Sequence, residues 1–286
     1  KELPWGFVFL RPLGLRLRGI WSDMDFKISV YTDKGIRKET NEDSLMVKVA
    51  RTAYGKALFA AVCDGMGGLA KGELASAEMI RMLSRWFEEE FPGLLYGGWS
   101  RKALQESLEA LIYRASDRIA GCGRGIHADM GTTVVALLAV GDSYYIGNVG
   151  DSRAYILKDR LRQITKDHTW IQKEIDEGRL SREDAGKDAR RNILLQCVGA
   201  SPVMMPDFYM GRMEADSMFL LCSDGFRHEV SEEELYKYLN PYRLRDEEAT
   251  EESLVYVTEL DKRRRETDNI SAILIRTDSD AGDKRC

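Results

Sequence analysis

The stretch Lys56-Ala57-Leu58-Phe59-Ala60-Ala61-Val62-Cys63-Asp64-Gly65-Met66-Gly67-Gly68 is an apolar run that breaks into an aspartate and a glycine-rich turn. A short apolar run bounded by turn residues reads as a strand, so Asp64 stands just past a strand end. The pattern recurs along the chain. Met218 to Cys222 leads into Ser223-Asp224-Gly225, Asp268-Asn269 precedes the strand-like Ile270 to Ile275, and Asn41-Glu42-Asp43 precedes Ser44 to Ala50. Carboxylates gathered from distant strand ends repel one another unless cations hold them. An oxygen-only set without a His or Cys ligand pattern suits Mg²⁺ or Mn²⁺ better than zinc.

Asp64 is the strongest ligand candidate, because the glycines that follow let backbone approach an ion and Gly65 can offer its carbonyl. Asp224 has the same setting, and Asp268 meets its strand from the other direction. Glu42 and Asp43 are adjacent, so in an extended chain they point to opposite faces. Without a bend, only one of them reaches a given ion directly, and the other acts through water. Two such ions polarise a phosphoryl oxygen and activate water, a combination that hydrolyses a phosphate ester without a protein nucleophile. Ser152 in Gly-Asp-Ser-Arg lacks the closing glycine of an esterase elbow, and Cys122 has no evident activating partner. The glycines at 65, 67 and 68 fit neither a P-loop nor a dinucleotide fingerprint.

Outward from this stretch, Phe26 to Thr32 and Ser44 to Ala50 read as strands, and helices are expected over Lys71 to Glu89 and Ser100 to Ile119 with a turn around 92–98 between them. A glycine-rich loop is expected at 121–125. Strands follow over Thr132 to Val140, Ser143 to Asn148 and Ser152 to Leu157. A polar region from Lys166 to Arg191, with a helix at 169–177, reads as a mobile insertion near the site. Helices at Glu232 to Leu239 and Asp246 to Leu260 complete the pattern, which implies helical layers outside packed sheets.

The 286 residues, 44% hydrophobic and 31% charged, suit one large soluble domain with at most a small extension. A formal net charge of −5 and the lack of a long basic patch argue against nucleic-acid binding. No apolar run approaches the roughly 20 residues of a membrane span. Five widely spaced cysteines without a CxxC pair fit a reducing cytoplasm. Residues 1–25 read as an amino-terminal extension (an arm, a protein-binding strand or a cloning remnant) whose apolar segment Phe7 to Leu10 is too short for a secretory core. Residues 277–286 read as a polar, frayed tail.

In order, the chain carries Thr32-Asp33-Lys34-Gly35 with Asn41-Glu42-Asp43-Ser44, then Asp64-Gly65-Met66-Gly67-Gly68, Gly72-Glu73-Leu74-Ala75-Ser76 and Met130-Gly131-Thr132-Thr133. Asn148-Val149-Gly150-Asp151-Ser152-Arg153, Thr165-Lys166-Asp167-His168, Cys197-Val198-Gly199, Ser223-Asp224-Gly225 and Asp268-Asn269-Ile270 follow. This series resembles the metal-dependent protein phosphatase family, the type-2C serine/threonine phosphatases, in its short bacterial branch, over residues 26–276. The resemblance implies an α+β fold, a four-layer α-β-β-α sandwich of two packed antiparallel sheets flanked by helices. It also implies two core Mn²⁺ or Mg²⁺ ions and a third, weaker one.

By the same resemblance Asp64 bridges two ions with the Gly65 carbonyl, and Asp224 and Asp268 complete the first. Glu42 serves the second through water, Asp43 holds metal-bound water, and Asp151 with Asp224 forms the third site. Residues 169–198 correspond to the family's flap. Two positions depart from the family pattern. Lys38, preceded by Arg37, stands where many members place a phosphate-binding arginine; lysine lacks the bidentate fork, so either Lys38 or Arg37 is a candidate for the phosphate. Met66 stands where animal members carry a histidine proposed as general acid. His168 is expected to be structural.

The activity implied is hydrolysis of phosphoserine and phosphothreonine on proteins by a water or hydroxide bridging two divalent ions, in a cytoplasmic, monomeric bacterial signalling enzyme that opposes a Ser/Thr kinase. The alternatives are a partner-switching phosphatase dedicated to one regulatory protein and a catalytically silent scaffold of the same fold.

Overall fold

Strand β3, Gly55–Met66, sorts its side chains by parity. Ala57, Phe59, Ala61 and Cys63 join a core shared with helices, whereas Leu58, Ala60 and Val62 join a core shared with a second sheet. A strand alternates sides at every residue, so an apolar run this continuous marks a strand covered on both faces.

The computed structural model describes residues 24–66, 71–98, 100–185, 188, 190–191 and 193–279. The extension expected at 1–25 lies outside the described residues except for Met24 and Asp25. Around β3 run β1 Met24–Asp33, β2 Asp43–Thr52, β4 Gly131–Thr132, β5 Val134–Val140, β6 Ser143–Val149 and β7 Arg153–Leu157. Four more strands are β8 Leu161–Gln163, β9 Asp207–Arg212, β10 Ser217–Cys222 and β11 Ile270–Ser279. The helices are α1 Gly72–Glu89, α2 Phe91–Tyr96, α3 Arg101–Ile126, α4 Trp170–Asp176, α5 Arg182–Ala185, α6 Glu232–Tyr238 and α7 Glu247–Arg263, with a 3-10 turn at Asp224–Phe226.

One sheet has the order β1-β11-β10-β7-β8 and the other β2-β3-β5-β6-β9, with β4 paired to the end of β3. All recorded pairings are antiparallel. Phe219, Leu221, Ile273 and Ile275 meet Leu58, Val62, Leu137 and Ile146 between the sheets. On one outer face α1 and α3 pack Met79, Leu83, Trp86, Leu111 and Ile119 onto the second sheet, and on the other Leu235, Leu254 and Val257 of α6 and α7 cover the first. The result is the expected α-β-β-α sandwich. Each fully buried Leu or Phe contributes about 1.5–3 kcal/mol by leaving water. Side-chain caps start the helices where the sequence offers them: Ser100 accepts from the Ala103 N–H, Asp246 from the Ala249 N–H, and Ser231 forms a reciprocal box with Glu234.

Several local expectations are corrected. The expected turn at 92–98 begins with helix α2, which Pro92 favours from its first turn. The expected loop at 121–125 is the last part of α3, which ends where His127 turns left-handed at φ 53°. Gly123 carries the close return of the chain there, since a Cβ on it would lie 2.5 Å from the Ala128 carbonyl oxygen. The strand expected from Thr132 to Val140 breaks at Thr133, whose groups turn to the Asp64 backbone. Strands β8 and β9 were not anticipated; β9 contains Asp207 and Gly211, poor strand formers held there by pairing with β6. Finally β11 runs to Ser279, paired with Met24, so the segment after Thr277 begins as strand and not as frayed tail. Among the described residues no helix is long and apolar enough to cross a membrane.

Candidate metal centre

Asp64 sits at the end of β3 with its backbone fully engaged. Its N–H donates to Thr133 Oγ1 (2.9 Å), and its carbonyl accepts from the Thr132 hydroxyl (2.9 Å) and the Thr133 N–H (2.8 Å). Thr133 Oγ1 in turn lies 2.6 Å from Ser152 Oγ, beside Asp151. The Met-Gly-Thr-Thr and Gly-Asp-Ser segments thus act as a clamp on the strand end that carries Asp64.

Glu42 is stitched into the same end of the sandwich just before β2. Its N–H donates to Asn269 Oδ1 (2.9 Å), and its carbonyl accepts from the Gly65 N–H (3.2 Å) and the Ser76 hydroxyl (2.6 Å). Its Oε1 accepts from the Gly72 N–H at 3.2 Å. A Cβ on Gly65 would stand 2.2 Å from the Gly72 carbonyl oxygen, so only glycine lets the start of α1 close onto β3 here. The two adjacent acids are thereby separated. Glu42 reaches the hollow, while Asp43 lies buried behind it with Oδ2 accepting from the Ser223 hydroxyl (2.9 Å).

Asp224 follows β10 and Asp268 precedes β11, neighbours in one sheet, so both arrive at the same end. Asn269 holds that end in place, its Nδ2 donating to the carbonyls of Lys34 (2.9 Å) and Thr40 (3.2 Å). Asp151 comes from the turn after β6. His168 braces this turn: its Nδ1 accepts from the Gly150 N–H (3.2 Å) and its own N–H donates to the Gly150 carbonyl (3.0 Å). His168 therefore works in the scaffold, as expected.

Lys38, Glu42, Asp64, Gly65, Met66, Asp151, Leu194, Asp224 and Asp268 line one hollow of about 220 Å³. Arg37 is exposed and outside this lining, so of the two cations considered for phosphate the structure brings in Lys38. The Lys38 ammonium lies 3.0 Å from Asp268 Oδ1 and 3.4 Å from Glu42 Oε2. Burial opposes its charge, but these carboxylates outweigh it and raise the lysine above its usual value.

The acids themselves are electrostatically stressed. Burial, offset in part by serine hydroxyls and reinforced by Asp224 and Asp268, pushes the Asp43 carboxyl up to about 7. Burial and the Asp224 charge push Asp151 to about 7. Burial and the charges of Asp43, Asp224, Asp268 and Asp151 raise Asp64 well above the carboxylate range. Asp43 Oδ1 and Asp224 Oδ1 are buried without a hydrogen-bond partner. Orphaned buried acceptors demand an explanation, and here an all-oxygen donor set with excess negative charge fits hard divalent cations. The carboxylates ring the hollow without clasping: among the described residues no three His, Cys, Asp or Glu side chains are gathered closely enough to hold an ion as they stand.

Three participants were not anticipated. Leu194, from the segment between α5 and β9, reaches the hollow and is anchored by a bridge to Thr169. His228 places Nε2 3.4 Å from Asp224 Oδ2 and Nδ1 3.2 Å from Glu266 Oε2. Burial opposes charge on His228, but Glu266 and Asp224 raise it above the ordinary histidine value. His228 and Glu266 lie close in sequence to the expected ligands Asp224 and Asp268, the one signal that could have found them, whereas Leu194 falls within the expected flap at 169–198.

The Protein phosphatase 2C family model matches residues 34–262. The chain is 33% identical over 251 residues to the serine/threonine phosphatase stp of Listeria monocytogenes, covering 86% of this chain and 94% of that protein. Among solved structures, the Staphylococcus aureus serine/threonine phosphatase Stp1 superposes with a TM-score of 0.76 at 26% identity, over 93% of this chain and 99% of that one. The catalytic domain of the serine/threonine protein phosphatase PstP, solved in complex with two manganese ions, superposes with a TM-score of 0.72 at 29% identity, over 89% and 99% of the two chains.

Proposed function

The chain belongs to the protein phosphatase 2C family, and from that premise we propose how its own residues serve the metal-dependent serine/threonine phosphatase activity of that family. Asp64 and the Gly65 carbonyl would hold the core ions, with Asp224 and Asp268 at the first and Glu42 at the second. Asp43 supports this set from behind, and Asp151 with Asp224 offers a weaker third position. The observation that carries this reading is the convergence of Asp64, Asp224, Asp268, Asp151 and Glu42 on one hollow, with buried carboxylate oxygens left unpartnered. Bound Mn²⁺ or Mg²⁺ supplies electrostatic stabilisation of the phosphoryl group and lowers the pKa of water.

The remaining steps belong to the chain. Lys38, at the rim, attracts the phosphate dianion and holds it over the carboxylates as a point charge. Met66 and Leu194 present apolar surface beside it and limit water on that side. In this reading the oxygen that attacks phosphorus comes from water: the described lining offers no serine, cysteine or histidine, and its carboxylates would be committed to the ions. The phosphorus–ester bond breaks as the new phosphorus–oxygen bond forms; the attacking water releases one proton to solvent, and the leaving serine or threonine oxygen takes one up from solvent, since Met66 cannot donate one. The presence of Asp64, Asp224 and Asp268 together argues against a silent scaffold.

Residues 26–276 form the catalytic unit in this reading, with 169–198 as the flap. Its substrates are proteins phosphorylated by a Ser/Thr kinase, and the enzyme acts as a cytoplasmic monomer. Turnover of a phosphothreonine peptide with Mn²⁺ or Mg²⁺, and its loss in chelator, tests the assignment; metal-independent turnover would refute it.

A further inference from the structure

Glu266 divides its carboxylate between two tasks. Oε1 accepts the backbone N–H groups of Thr267 (2.6 Å) and Asp268 (2.8 Å), while Oε2 faces His228 Nδ1 at 3.2 Å. The opposite ring nitrogen of His228 lies 3.4 Å from Asp224 Oδ2. One buried carboxylate therefore ties the backbone of Asp268 directly and the side chain of Asp224 through a single imidazole. Asp224 is left with its other oxygen, Oδ1, unpartnered. Neighbouring Arg227 turns elsewhere, donating to the Asp151 carbonyl at 2.9 Å, so the brace is specific to His228.

We propose that His228 and Glu266 are positioning residues that fix Asp224 and Asp268 relative to each other and so set the affinity of the first ion site. This rests on the ligand assignment made above. A ligating carboxylate held by an outer partner has one orientation instead of several, and loss of such a partner typically weakens metal affinity by about 10–100-fold. His228 has 13% of its side chain accessible and Glu266 6%, which keeps water from replacing either.

The test is Mn²⁺ affinity measured by electron paramagnetic resonance and calorimetry on the full chain, with no substrate present. His228→Ala is expected to weaken binding at least about tenfold, and His228→Gln, whose amide can still donate to Asp224, to recover part of the loss. Unchanged affinity in His228→Ala overturns the proposal, and equal losses in Ala and Gln assign the effect to packing and overturn it as well. Should His228→Ala fail to fold in chelator, Glu266→Gln replaces it. That variant keeps an acceptor for the two amides but loses the charge facing His228, so a severalfold weakening is expected and unchanged affinity again overturns the idea. Absence of Mn²⁺ binding by the unmodified chain would instead remove the ligand assignment, and the brace with it.

Discussion

Asp43 and Asp64 stand directly opposite each other across the β2–β3 ladder. Opposed residues of an antiparallel pair share a face, and like charges there are destabilising. The chain nevertheless builds three hydrogen bonds around the Asp64 backbone to keep it in that place. Such an arrangement trades stability for a concentrated negative field, which a divalent cation relieves.

Asp64→Asn and Asp224→Asn are each expected to lower phosphopeptide turnover by at least about 10²-fold while leaving a folded protein, because metal-derived electrostatics contribute several kcal/mol to the barrier. Steady-state kinetics with excess Mn²⁺, alongside circular dichroism, measure both halves. Near-normal turnover in either variant would remove that residue from the centre.

Lys38→Ala is expected to raise KM by about 5–20-fold with a smaller change in kcat, the pattern of a charge that holds bound substrate and transition state alike. Arg37→Ala, at an exposed position outside the hollow, is expected to leave both constants within about twofold. A larger effect from Arg37 than from Lys38 would reverse the assignment of the phosphate cation.

How much of this could be read from the chain follows from what each residue depends on. Asp64, Asp224 and Asp268 were legible because an apolar run beside an acid is a local pattern; helical layers outside packed sheets followed from the order of helices and strands, and the four-layer sandwich from the family resemblance. Strand β9 was not, because Asp207 and Gly211 form a strand only when β6 supplies the partner. The glycines at 121, 123 and 125 read as a loop since their helical state rests on the contact between Gly123 and the returning Ala128. His228 and Glu266 carry no motif of their own; their relation exists only after β10, α7 and β11 converge. The placing of Glu42 in the hollow, apart from Asp43, likewise depends on Asn269 and Gly72 from distant segments.

Two buried acids away from the ligands predict opposite responses to pH. Asp261 is buried with both carboxylate oxygens lacking a well-formed hydrogen bond. Burial, only partly countered by the Glu229 backbone and reinforced by the Glu266 and Glu229 charges, pushes it up to about 7. Its folded value lies above its unfolded one, so the native state is favoured below about 4 and that advantage is lost as pH rises through about 7. Asp261→Asn is expected to be near neutral at pH 4 and stabilising by on the order of 1–3 kcal/mol at pH 8. Urea unfolding in chelator at the two pH values checks the sign; a stabilisation that shrinks with rising pH would contradict it.

Asp167 is the reverse case. Burial works against its charge, but Arg153, which donates from Nε (2.8 Å) and Nη2 (2.7 Å), and Arg227 outweigh it and hold the carboxyl below its usual range. Its stabilisation is present above about pH 4 and falls away as pH drops through the lowered folded value. Asp167→Ala is expected to cost about 2–4 kcal/mol near neutrality, by leaving the partly buried Arg153 without its carboxylate. A loss below about 1 kcal/mol in the same urea experiment would show that water readily replaces the pair.

The most direct measurement is anomalous scattering from crystals soaked in Mn²⁺, for the unmodified chain and for Asp64→Asn. The account predicts two manganese peaks within the hollow, with oxygens of Asp64, Asp224 and Asp268 turned onto them, and loss of both peaks in the variant. Peaks elsewhere on the surface with none among these carboxylates, or an undiminished pair in Asp64→Asn, would contradict it.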